Sequence, residues 1–407
     1  MAKHYPTVAG VDFGSSKVVV LLCEMTPDGL EVVGFGEAES SGVRKGVIVN
    51  IDSTVIALTQ ALEEAKRGSA RQIDYLVAGV TGSHIQTMTS QGMVPIRDQE
   101  VKTTDVQRVI EAASAVNIPL DREVIQALPL EFIIDGQDGI QEPLSMYGKR
   151  LEVNLLLITG AITPLENIRR CLQKVGLKAH HFISSALASA RSTTTPEERE
   201  AGVCVLDIGA ASTDLAVFQD GAVRFIRTLP MGGMHLTNDL AVGLKTTLNE
   251  AQKLKHAYGA AVDLIEEEIS IPGLSESGPR TISRRMLSQI LQPRMDEILM
   301  MCKSELSKEG VDEALPSGIV ITGGAGHLKG ILSSAERVFR LPVRVGRPGG
   351  LGGMSDMVTS PSYATAVGLM ELGYEISDEL QFFANLFEKK GLRRVQSQLN
   401  RWFKDFF

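Results

Sequence analysis

The sequence contains 407 residues, of which 43% are hydrophobic and 22% are charged, as in a soluble globular protein. Its length exceeds one ordinary hydrophobic core, so we expect two domains or four subdomains, and its net charge of −8 provides no basic field for nucleic acid as a partner. The four cysteines are scattered without a CxxC pair and the seven histidines do not cluster at ligand spacing, which argues against a disulfide framework and against a zinc or histidine metal site.

The first predicted element is a hairpin. Residues 8–22 read VAGVDFGSSKVVVLL, an apolar strand followed by Asp12, an apolar residue, Gly14, small polar residues and a second apolar strand. No secretion signal precedes this segment, and no apolar run approaches the roughly 18 residues of a membrane span. We therefore expect a cytosolic protein.

Half of an α/β domain is predicted to follow the hairpin. EVVGFGEAES has the pattern of a strand, and a helix is predicted from Ser53 to about Lys66 with Asp52 or Ser53 as its N-cap. Residues 72–82 read as a buried strand that ends in glycine.

The segment 84–157 has a different pattern and is predicted to be an inserted α+β subdomain. It contains a helix over 104–116, a strand pair broken by Pro129, and a continuous apolar strand, LEVNLLLI. A helix over 163–175, then a strand and a helix in KAHHFISSALASARS, return the chain to the first domain.

A second hairpin, in residues 203–218, repeats the pattern of the first. It reads VCVLDIGAASTDLAVF, in which Asp207 ends a buried strand before a turn of small residues. The bare backbone N–H groups of that turn, with the hydroxyls of Ser212 and Thr213, suit a phosphate oxygen, and Asp207 could hold a hydrated Mg²⁺. Alone, the pattern also fits a plain β-hairpin turn. Its repetition about half the chain away predicts two similar domains that face each other across one phosphate.

The rest of the second domain is predicted to be largely helical. MHLTNDLAVGL and TLNEAQKLKHAYG have Thr237 and Asn249 as plausible caps, and a helix over 283–308 carries an apolar stripe interrupted by Pro293. That stripe consists of Met286, Ile290, Ile298, Met301 and Leu306. Next, GIVITGGAGHLKGILSSAERVF reads as strand, glycine turn and helix, residues 346–356 as a flexible loop, and SYATAVGLMELG as a short helix.

The glycine loop ITGGAGHLKG is a third candidate nucleotide contact. It follows a strand and opens a helix, as a dinucleotide-binding fingerprint does, but it lacks the acidic residue about 20 positions further on, and a Walker A motif is absent. Two Asp–Gly hairpins followed by such a loop match the actin-like ATPase superfold, in which the nucleotide lies between two domains. A small-molecule kinase of this superfold would need a catalytic aspartate, and the insertion offers only Asp121, Asp135 and Asp138 in predicted loops.

The C-terminal stretch LRRVQSQLNRWFKDFF predicts an amphipathic helix. At about 100° per residue its apolar side chains occupy an arc of about 140°, with Arg393, Arg394, Arg401 and Lys404 on the other side. Such a helix would be about 24 Å long, too short for a bilayer core of about 30 Å but suited to its anionic interface. The alternative is a helix docked on the protein's own core. The expected membrane-binding residues are Leu392, Val395, Leu399, Trp402, Phe403, Phe406 and Phe407.

Several motifs give the chain a family resemblance over essentially its whole length. They are VAGVDFGSSKV, TGSHIQTMTSQGMVPI at the start of the insertion, LPMGGMHLTNDLA, EAQKLKHAYG, ITGGAGHLKG, YATAVGL and the C-terminal basic and aromatic helix. With these motifs the chain resembles the FtsA family of bacterial cell-division proteins, in which the position of the insertion is distinctive. Another bacterial actin-like scaffold, of pilus assembly or cell shape, is the alternative.

The resemblance implies an α/β protein with the actin-like (ribonuclease H-like) duplicated two-domain fold, an inserted α+β subdomain called 1C, and the nucleotide in the interdomain cleft. The implied divisions are 1–83 and 161–199 for subdomain 1A, 84–160 for 1C, 200–232 and 306–356 for 2A, 233–305 for 2B, 357–375 for the return to 1A, 376–391 for a linker and 392–407 for the membrane-targeting helix.

The resemblance also implies ATP and Mg²⁺ as ligands, with Asp12 and Asp207 on the metal through water. Where actins carry a water-positioning Gln or Glu, this chain has Ser184 and Ser185, which predicts tight ATP binding with at most slow hydrolysis. The implied cofactor contacts are Gly14, Ser15, Ser16 and Lys17 on one side of the β- and γ-phosphates, Gly209, Ser212 and Thr213 on the other, Gly233, then Gln252 and Lys255 near the ribose and base, and Gly323, Gly324 and Ala325 behind the adenine.

The implied function is to tether FtsZ filaments to the inner face of the cytoplasmic membrane at the division septum, to help assemble the Z ring and to recruit later division proteins, with 1C as one route. The FtsZ C-terminal tail is expected on 2B, where Arg284, Arg285 and Arg294 would meet an acidic peptide; the alternative is a solvated basic helix face. Self-association into actin-like protofilaments and peripheral binding to anionic membrane lipid are implied as well.

Overall fold

The computed structural model describes residues 5–27, 29–67, 72–262, 267–271, 280–311 and 314–388, of which 377–388 are described as backbone only. The strands in these ranges are β1 (Thr7–Phe13), β2 (Lys17–Thr26), β3 (Gly29–Glu39), β4 (Val43–Arg44), β5 (Val47–Ile48), β6 (Tyr75–Val80), β7 (Gln86–Pro95), β8 (Arg122–Ile134), β9 (Gln137–Ile140), β10 (Arg150–Ala161), β11 (His181–Ser184), β12 (Val203–Ile208), β13 (Thr213–Gln219), β14 (Ala222–Leu229), β15 (Glu268–Ile271), β16 (Arg280–Ser283), β17 (Ile319–Thr322), β18 (Val343–Val345) and β19 (Gly352–Gly353). The helices are α1 (Ile51–Lys66), α2 (Thr103–Ser114), α3 (Ile162–Lys174), α4 (Ser185–Thr193), α5 (Pro196–Ala201), α6 (Gly233–Gly243), α7 (Leu248–Tyr258), α8 (Arg284–Lys308), α9 (Ile331–Phe339) and α10 (Ala364–Glu388).

Two similar sheets form the two halves of the molecule. The first has the strand order β11-β6-β1-β2-β3-β19 and the second has the order β14-β13-β12-β17-β18. In each sheet an antiparallel hairpin, β1–β2 or β12–β13, lies beside a parallel strand, β6 or β17. The two predicted Asp–Gly hairpins therefore occupy equivalent places, with Asp12 and Asp207 near the ends of β1 and β12.

A helix pair and a shared core join the two halves. Buried apolar side chains from α4, α10 and both central sheets form one cluster that includes Val77, Leu187, Val205 and Leu369. The helices approach each other closely because α10 carries Gly368, where a Cβ would overlap the carbonyl oxygen of Ala188 on α4. This contact between backbones fixes the two sheets on either side of the cleft.

The insertion forms a third sheet, with the strand order β7-β10-β8-β9 and α2 packed against it. The prediction that Pro129 breaks a strand pair was wrong, since β8 runs through it. Pro129 lies opposite Leu155 beside a register shift, and β9 pairs with β8 only from Phe132 onward, so no partner on that edge needs the missing N–H.

Two predicted helix caps were wrong by a few residues. The N-cap of α1 is Asn50, whose Oδ1 accepts the Ser53 N–H at 2.9 Å, so Asp52 lies in the first turn. The N-cap of α7 is Thr247, and Asn249 lies inside that helix. In both cases several cap-competent residues are adjacent, and the sequence does not show which one adopts the extended backbone of a cap.

Three predicted features of the second half also differ in the structure. Helix α8 confirms the helix predicted over 283–308 and continues through Pro293, but its buried face includes Leu287, Leu291 and Met295, whereas Met286 of the predicted stripe is 41% exposed. Helix α10 continues to Glu388, into the segment predicted as a linker, and the predicted loop contains β19, which pairs with β3.

None of the helices in the described residues combines the length and apolar character that a membrane span requires.

Candidate functional site

The candidate site is a cleft of about 620 Å³ between the two similar sheets, a size typical of small-molecule sites. Its walls are the turns of both Asp–Gly hairpins, the glycine loop after β17, the side of α7 and the segment before α10. The sheets bring these parts together because parallel β1 and β6, and parallel β12 and β17, end at the same edges.

The first hairpin contributes all of its predicted residues to the cleft wall. Asp12, Gly14, Ser15, Ser16 and Lys17 line the cleft, as their places in the β1–β2 turn require. The turn is tight, since a Cβ at Gly14 would lie 2.6 Å from the Lys17 carbonyl oxygen. Its backbone can therefore approach a ligand closely.

The second hairpin contributes Gly209 and Ser212 but not Thr213. Thr213 is fully buried, and its hydroxyl donates to the Met231 carbonyl oxygen at 2.8 Å, so the predicted phosphate contact through this hydroxyl was wrong. The reason is the alternation of side chains along a strand, which places Ser212 and Asp214 on the face opposite to Thr213.

Asp214, which our sequence analysis missed, is a third carboxylate of the cleft. It accepts hydrogen bonds from the Thr81 hydroxyl at 2.6 and 2.8 Å, across the cleft, and from the Thr228 hydroxyl at 2.5 Å. Asp214 follows Ser212 by two positions, and side chains two positions apart in a strand lie on the same face. This spacing could have identified Asp214 from the sequence. Thr81 directly follows the carboxyl end of β6, and ligands bind at the carboxyl ends of parallel strands. Thr81 could therefore also have been predicted as a residue of the site.

Thr365 is a further missed residue of the site. It lies in the first turn of α10, lines the cleft and donates its hydroxyl to Asp207 Oδ2 at 2.9 Å. No local pattern could have paired it with Asp207, because the two residues are separated by 158 positions.

The three carboxylates give the cleft floor an excess of negative charge. Burial raises the pKa of Asp12 to about 6, against the lowering effect of Lys17, and burial together with the charge of Asp214 raises the pKa of Asp207 to about 7. Burial also raises the pKa of Asp214. Such a floor favours a bound cation. Among the described residues no three His, Cys, Asp or Glu side chains are grouped closely enough to hold a metal ion directly.

The glycine loop lies against the second hairpin. Gly323 has a φ of +80°, and a Cβ there would overlap the Asp207 carboxylate, so this position requires glycine. At Gly324 a Cβ would meet no atom within 4 Å, which leaves open space beside Ala325. All three residues line the cleft as predicted, and the open space leaves room for a ligand group such as a nucleobase.

Lys255 and Gln252 of α7 line the same part of the cleft. Lys255 Nζ donates to the Gly233 carbonyl oxygen at 2.9 Å and to the Thr237 hydroxyl at 2.8 Å, and Thr237 donates to Gln252 Oε1 at 2.8 Å. Thr237, predicted to cap a helix, instead lies inside α6 and completes this network. Burial lowers the pKa of Lys255 to about 8.

This shifted lysine predicts a pH dependence for the binding of a polyanion. A bound polyanion would favour the charged form and move the pKa toward its ordinary value of about 10.4, so binding takes up a proton and affinity falls as pH rises. We expect affinity for a nucleotide to be about tenfold weaker at pH 9 than at pH 7. Calorimetry in buffers of different ionisation enthalpy measures the proton uptake; Lys255→Met should remove it, and an unchanged uptake would exclude Lys255 as its source.

Only one of the two predicted serines faces the cleft. Ser185, at the start of α4, lines the cleft and is 3% exposed, and no described residue forms a hydrogen bond with its Oγ. Ser184 ends β11 and donates its backbone N–H to Gln126 Oε1 of the insertion at 2.9 Å. The cleft wall thus carries the short hydroxyl of Ser185 at the place where the resemblance implies a water-positioning Gln or Glu.

The three arginines predicted to bind a partner lie on α8 in different surroundings. Arg284 Nη1 lies 2.6 Å from Glu267 Oε2, and Arg294 is paired with Asp239 and Glu297. Arg285 is exposed. Arg284 and Arg294 are neutralised by the protein's own carboxylates, so the expectation of a basic face does not hold for these two residues. The predicted membrane-binding residues, 392–407, lie outside the described residues.

Comparisons with known proteins identify the family. A family model described as "Cell division protein FtsA" matches residues 204–368, and one described as "SHS2 domain inserted in FTSA" matches residues 82–159. The chain is 41% identical to the cell division protein FtsA of Pseudomonas aeruginosa, over 90% of this chain and 89% of that protein. It is 38% identical to FtsA of Neisseria meningitidis over the whole of both chains, and 34% identical to FtsA of Escherichia coli over 98% of each.

Solved structures with the same fold are more distant in sequence. The PilM–PilN type IV pilus biogenesis complex gives a TM-score of 0.66 at 17% identity, over 90% of this chain and 98% of that chain. MreB 5 of Spiroplasma citri bound to AMPPNP gives 0.57 at 14% identity, over 96% and 100%. The MamK double helical filament gives 0.52 at 13% identity, over 90% and 99%. These likenesses confirm the predicted actin-like fold. The identities of 34–41% over 90–100% of this chain show that it belongs to the FtsA family of bacterial cell-division proteins.

Proposed function

We propose that the cleft binds ATP with Mg²⁺. The observation that carries this proposal is the convergence of two bare hairpin turns and an open glycine loop around three carboxylates, of which Asp214 is buried and Asp12 and Asp207 are half-buried. Asp12 and Asp207 would hold Mg²⁺ through water. The first hairpin and residues Gly209 and Ser212 would bind the phosphates, and the glycine loop would lie behind the adenine. Support comes from a protein of the same fold that was solved with bound AMPPNP.

We expect this ATP site to turn over slowly. Hydrolysis needs a positioned water, and Ser185 offers only a short hydroxyl at the corresponding place. Turnover should therefore stay below about 1 per second, the low end for ordinary enzymes. Phosphate release measured with saturating Mg²⁺-ATP tests this expectation. A rate above that limit would contradict it and would favour a kinase-like or ATPase function.

For the cellular role, we infer that the protein tethers FtsZ filaments to the inner face of the cytoplasmic membrane at the division septum, helps assemble the Z ring and recruits later division proteins. Family membership supports this role, and so does the amphipathic pattern of residues 392–407. The assignment of subdomain 1C to residues 84–160 is supported by the match of an inserted-domain model to 82–159. Self-association into protofilaments belongs to the same proposal, and the likeness to a filament-forming protein is compatible with it.

The FtsZ tail is proposed to bind on subdomain 2B near Arg285. Reversing Arg294 would place a new carboxylate beside Asp239 and Glu297 and disturb the fold locally, so the exposed Arg285 is the residue to reverse. We expect Arg285→Glu to weaken binding of an FtsZ tail peptide about tenfold, because reversal replaces attraction with repulsion. Lys178→Glu, at an exposed lysine in the range assigned to subdomain 1A, is the charge-matched control. Equal binding by both variants in fluorescence polarisation would remove this face from the proposal.

A further inference from the structure

Lys17, the lysine of the first hairpin turn, is held by two side chains from other elements. Its Nζ lies 2.8 Å from Glu37 Oε2 and 3.7 Å from the centroid of the Tyr363 ring. The Tyr363 hydroxyl donates to the same Glu37 oxygen at 3.0 Å. The three side chains therefore form a closed triangle in which an ion pair, a cation–π contact and a hydrogen bond support one another.

The triangle is anchored on both sides. Glu37 belongs to β3, which pairs with β2 so that Lys17 lies opposite Glu39, and the Glu37 backbone N–H donates to Glu64 Oε2 at 3.1 Å. Tyr363 packs edge-on against Phe35 with ring centroids 5.1 Å apart. These contacts hold the backbone of Glu37 and the ring of Tyr363 independently of Lys17.

Tyr363 also belongs to the wall of the cleft through its neighbours. Pro361 and Ser362 line the cleft, and the Pro361 carbonyl oxygen accepts the Gly323 N–H of the glycine loop at 3.1 Å. Thr365 donates to Asp207. The segment 361–365 thus connects the glycine loop, the second hairpin's carboxylate and the lysine of the first hairpin.

We propose that Glu37 and Tyr363 are positioning residues that hold the Lys17 ammonium group at the phosphate end of the cleft. This inference rests on the proposed ATP binding. An ammonium group has three N–H donors; Glu37 accepts one and leaves others for phosphate oxygens. A lysine held in place loses less side-chain freedom on binding than a mobile one, which improves affinity.

The geometry distinguishes this arrangement from an ordinary surface ion pair. Isolated exposed pairs often contribute nothing measurable, and Lys17 and Glu37 are 26% and 41% exposed. Here the same carboxylate also accepts the phenol, and the aromatic face adds a second attraction to the ammonium group. Because Lys17 would serve the β- and γ-phosphates, its positioning should affect ATP more than ADP.

The test is calorimetric titration of the full chain with Mg²⁺-ATP and Mg²⁺-ADP. We expect Glu37→Gln and Tyr363→Leu each to weaken ATP binding about three- to tenfold and ADP binding less, with Tyr363→Phe, which keeps the ring, in between. Tyr147→Leu, at an exposed tyrosine of the insertion, is the control and should leave both affinities unchanged. When combined with Lys17→Met, Glu37→Gln should not weaken ATP binding further. If Glu37 only stabilised the fold, Glu37→Gln would weaken ATP binding with or without Lys17.

The outcomes separate this inference from the proposed function. If the wild-type chain binds ATP and Glu37→Gln leaves the ratio of ATP to ADP affinity unchanged, or tightens ATP binding, the positioning role is refuted while the ATP site stands. If Glu37→Gln is equally harmful in the Lys17→Met background, the role is refuted as well. If the wild-type chain binds no nucleotide, both proposals fail.

Discussion

Deletion of residues 392–407 is expected to abolish binding of the protein to anionic vesicles while leaving ATP affinity unchanged. As the helix predicted from the sequence, this stretch would carry seven apolar side chains on one arc and four basic side chains on the other side, an arrangement suited to the membrane interface. Exchanging Trp402 and Phe403 for Glu should be nearly as damaging as the deletion. Loss of two such buried side chains corresponds to at least about 100-fold weaker binding, at about 1.5–3 kcal/mol each.

A charge-matched control separates lost apolar contact from lost electrostatic attraction. Ser397→Glu with Gln398→Glu adds the same two negative charges on the polar side of the predicted helix, so it should weaken binding only moderately. Flotation with vesicles rich in anionic lipid measures all three variants. A deletion variant that still floats would refute the membrane anchor and favour a helix docked on the protein's own core.

Replacing Asp207 with Asn is expected to remove the Mg²⁺-dependent part of ATP affinity. We expect a loss of about 100-fold or more, because removal of one partner of a buried charge pair typically costs this much. Asp207 lies at the end of β12, beside Gly323 and opposite Asp214. Titration with ATP in the presence of Mg²⁺ and of chelator measures the effect. Asp138→Asn, in an exposed strand of the insertion, is the control.

The same variant has an opposite expected effect on stability. The pKa of Asp207 in the folded chain is raised to about 7 by burial, so its stabilising contribution is present at low pH and is lost as pH rises through 7. At pH 8, without nucleotide, Asp207→Asn removes an ionised buried group and keeps an oxygen to accept the Thr365 hydroxyl. We therefore expect a higher melting temperature. A lower one, together with intact Mg²⁺-ATP binding, would contradict the proposed role of Asp207.

Much of the site could be predicted because its signals are local. Each Asp–Gly hairpin is a continuous stretch of strand, turn and strand, so Asp12, Asp207 and the bare turns follow from the pattern alone. Thr213 was assigned wrongly because the pattern does not show where the turn ends and side-chain alternation begins. Asp214 was missed for the same reason. A shift of one residue in the assumed start of the strand moves every side chain to the other face.

Other parts of the site depend on contacts that no local pattern contains. Tyr363 reaches Glu37 across 326 positions, and both meet Lys17 only because β3 lies beside β2 and the segment before α10 returns to the first sheet. The neutralisation of Arg294 by Asp239 similarly joins α8 to α6. Such pairings are consequences of tertiary packing, which sequence periodicity does not determine.

Three-component flotation tests whether this chain connects FtsZ to the membrane, as proposed. Purified FtsZ, anionic vesicles, Mg²⁺-ATP and the full chain are centrifuged together, in parallel with samples that lack the chain or contain the 392–407 deletion variant. We expect FtsZ to float with the vesicles only in the presence of the full chain. FtsZ that remains at the bottom while the full chain itself floats would refute the proposed tether.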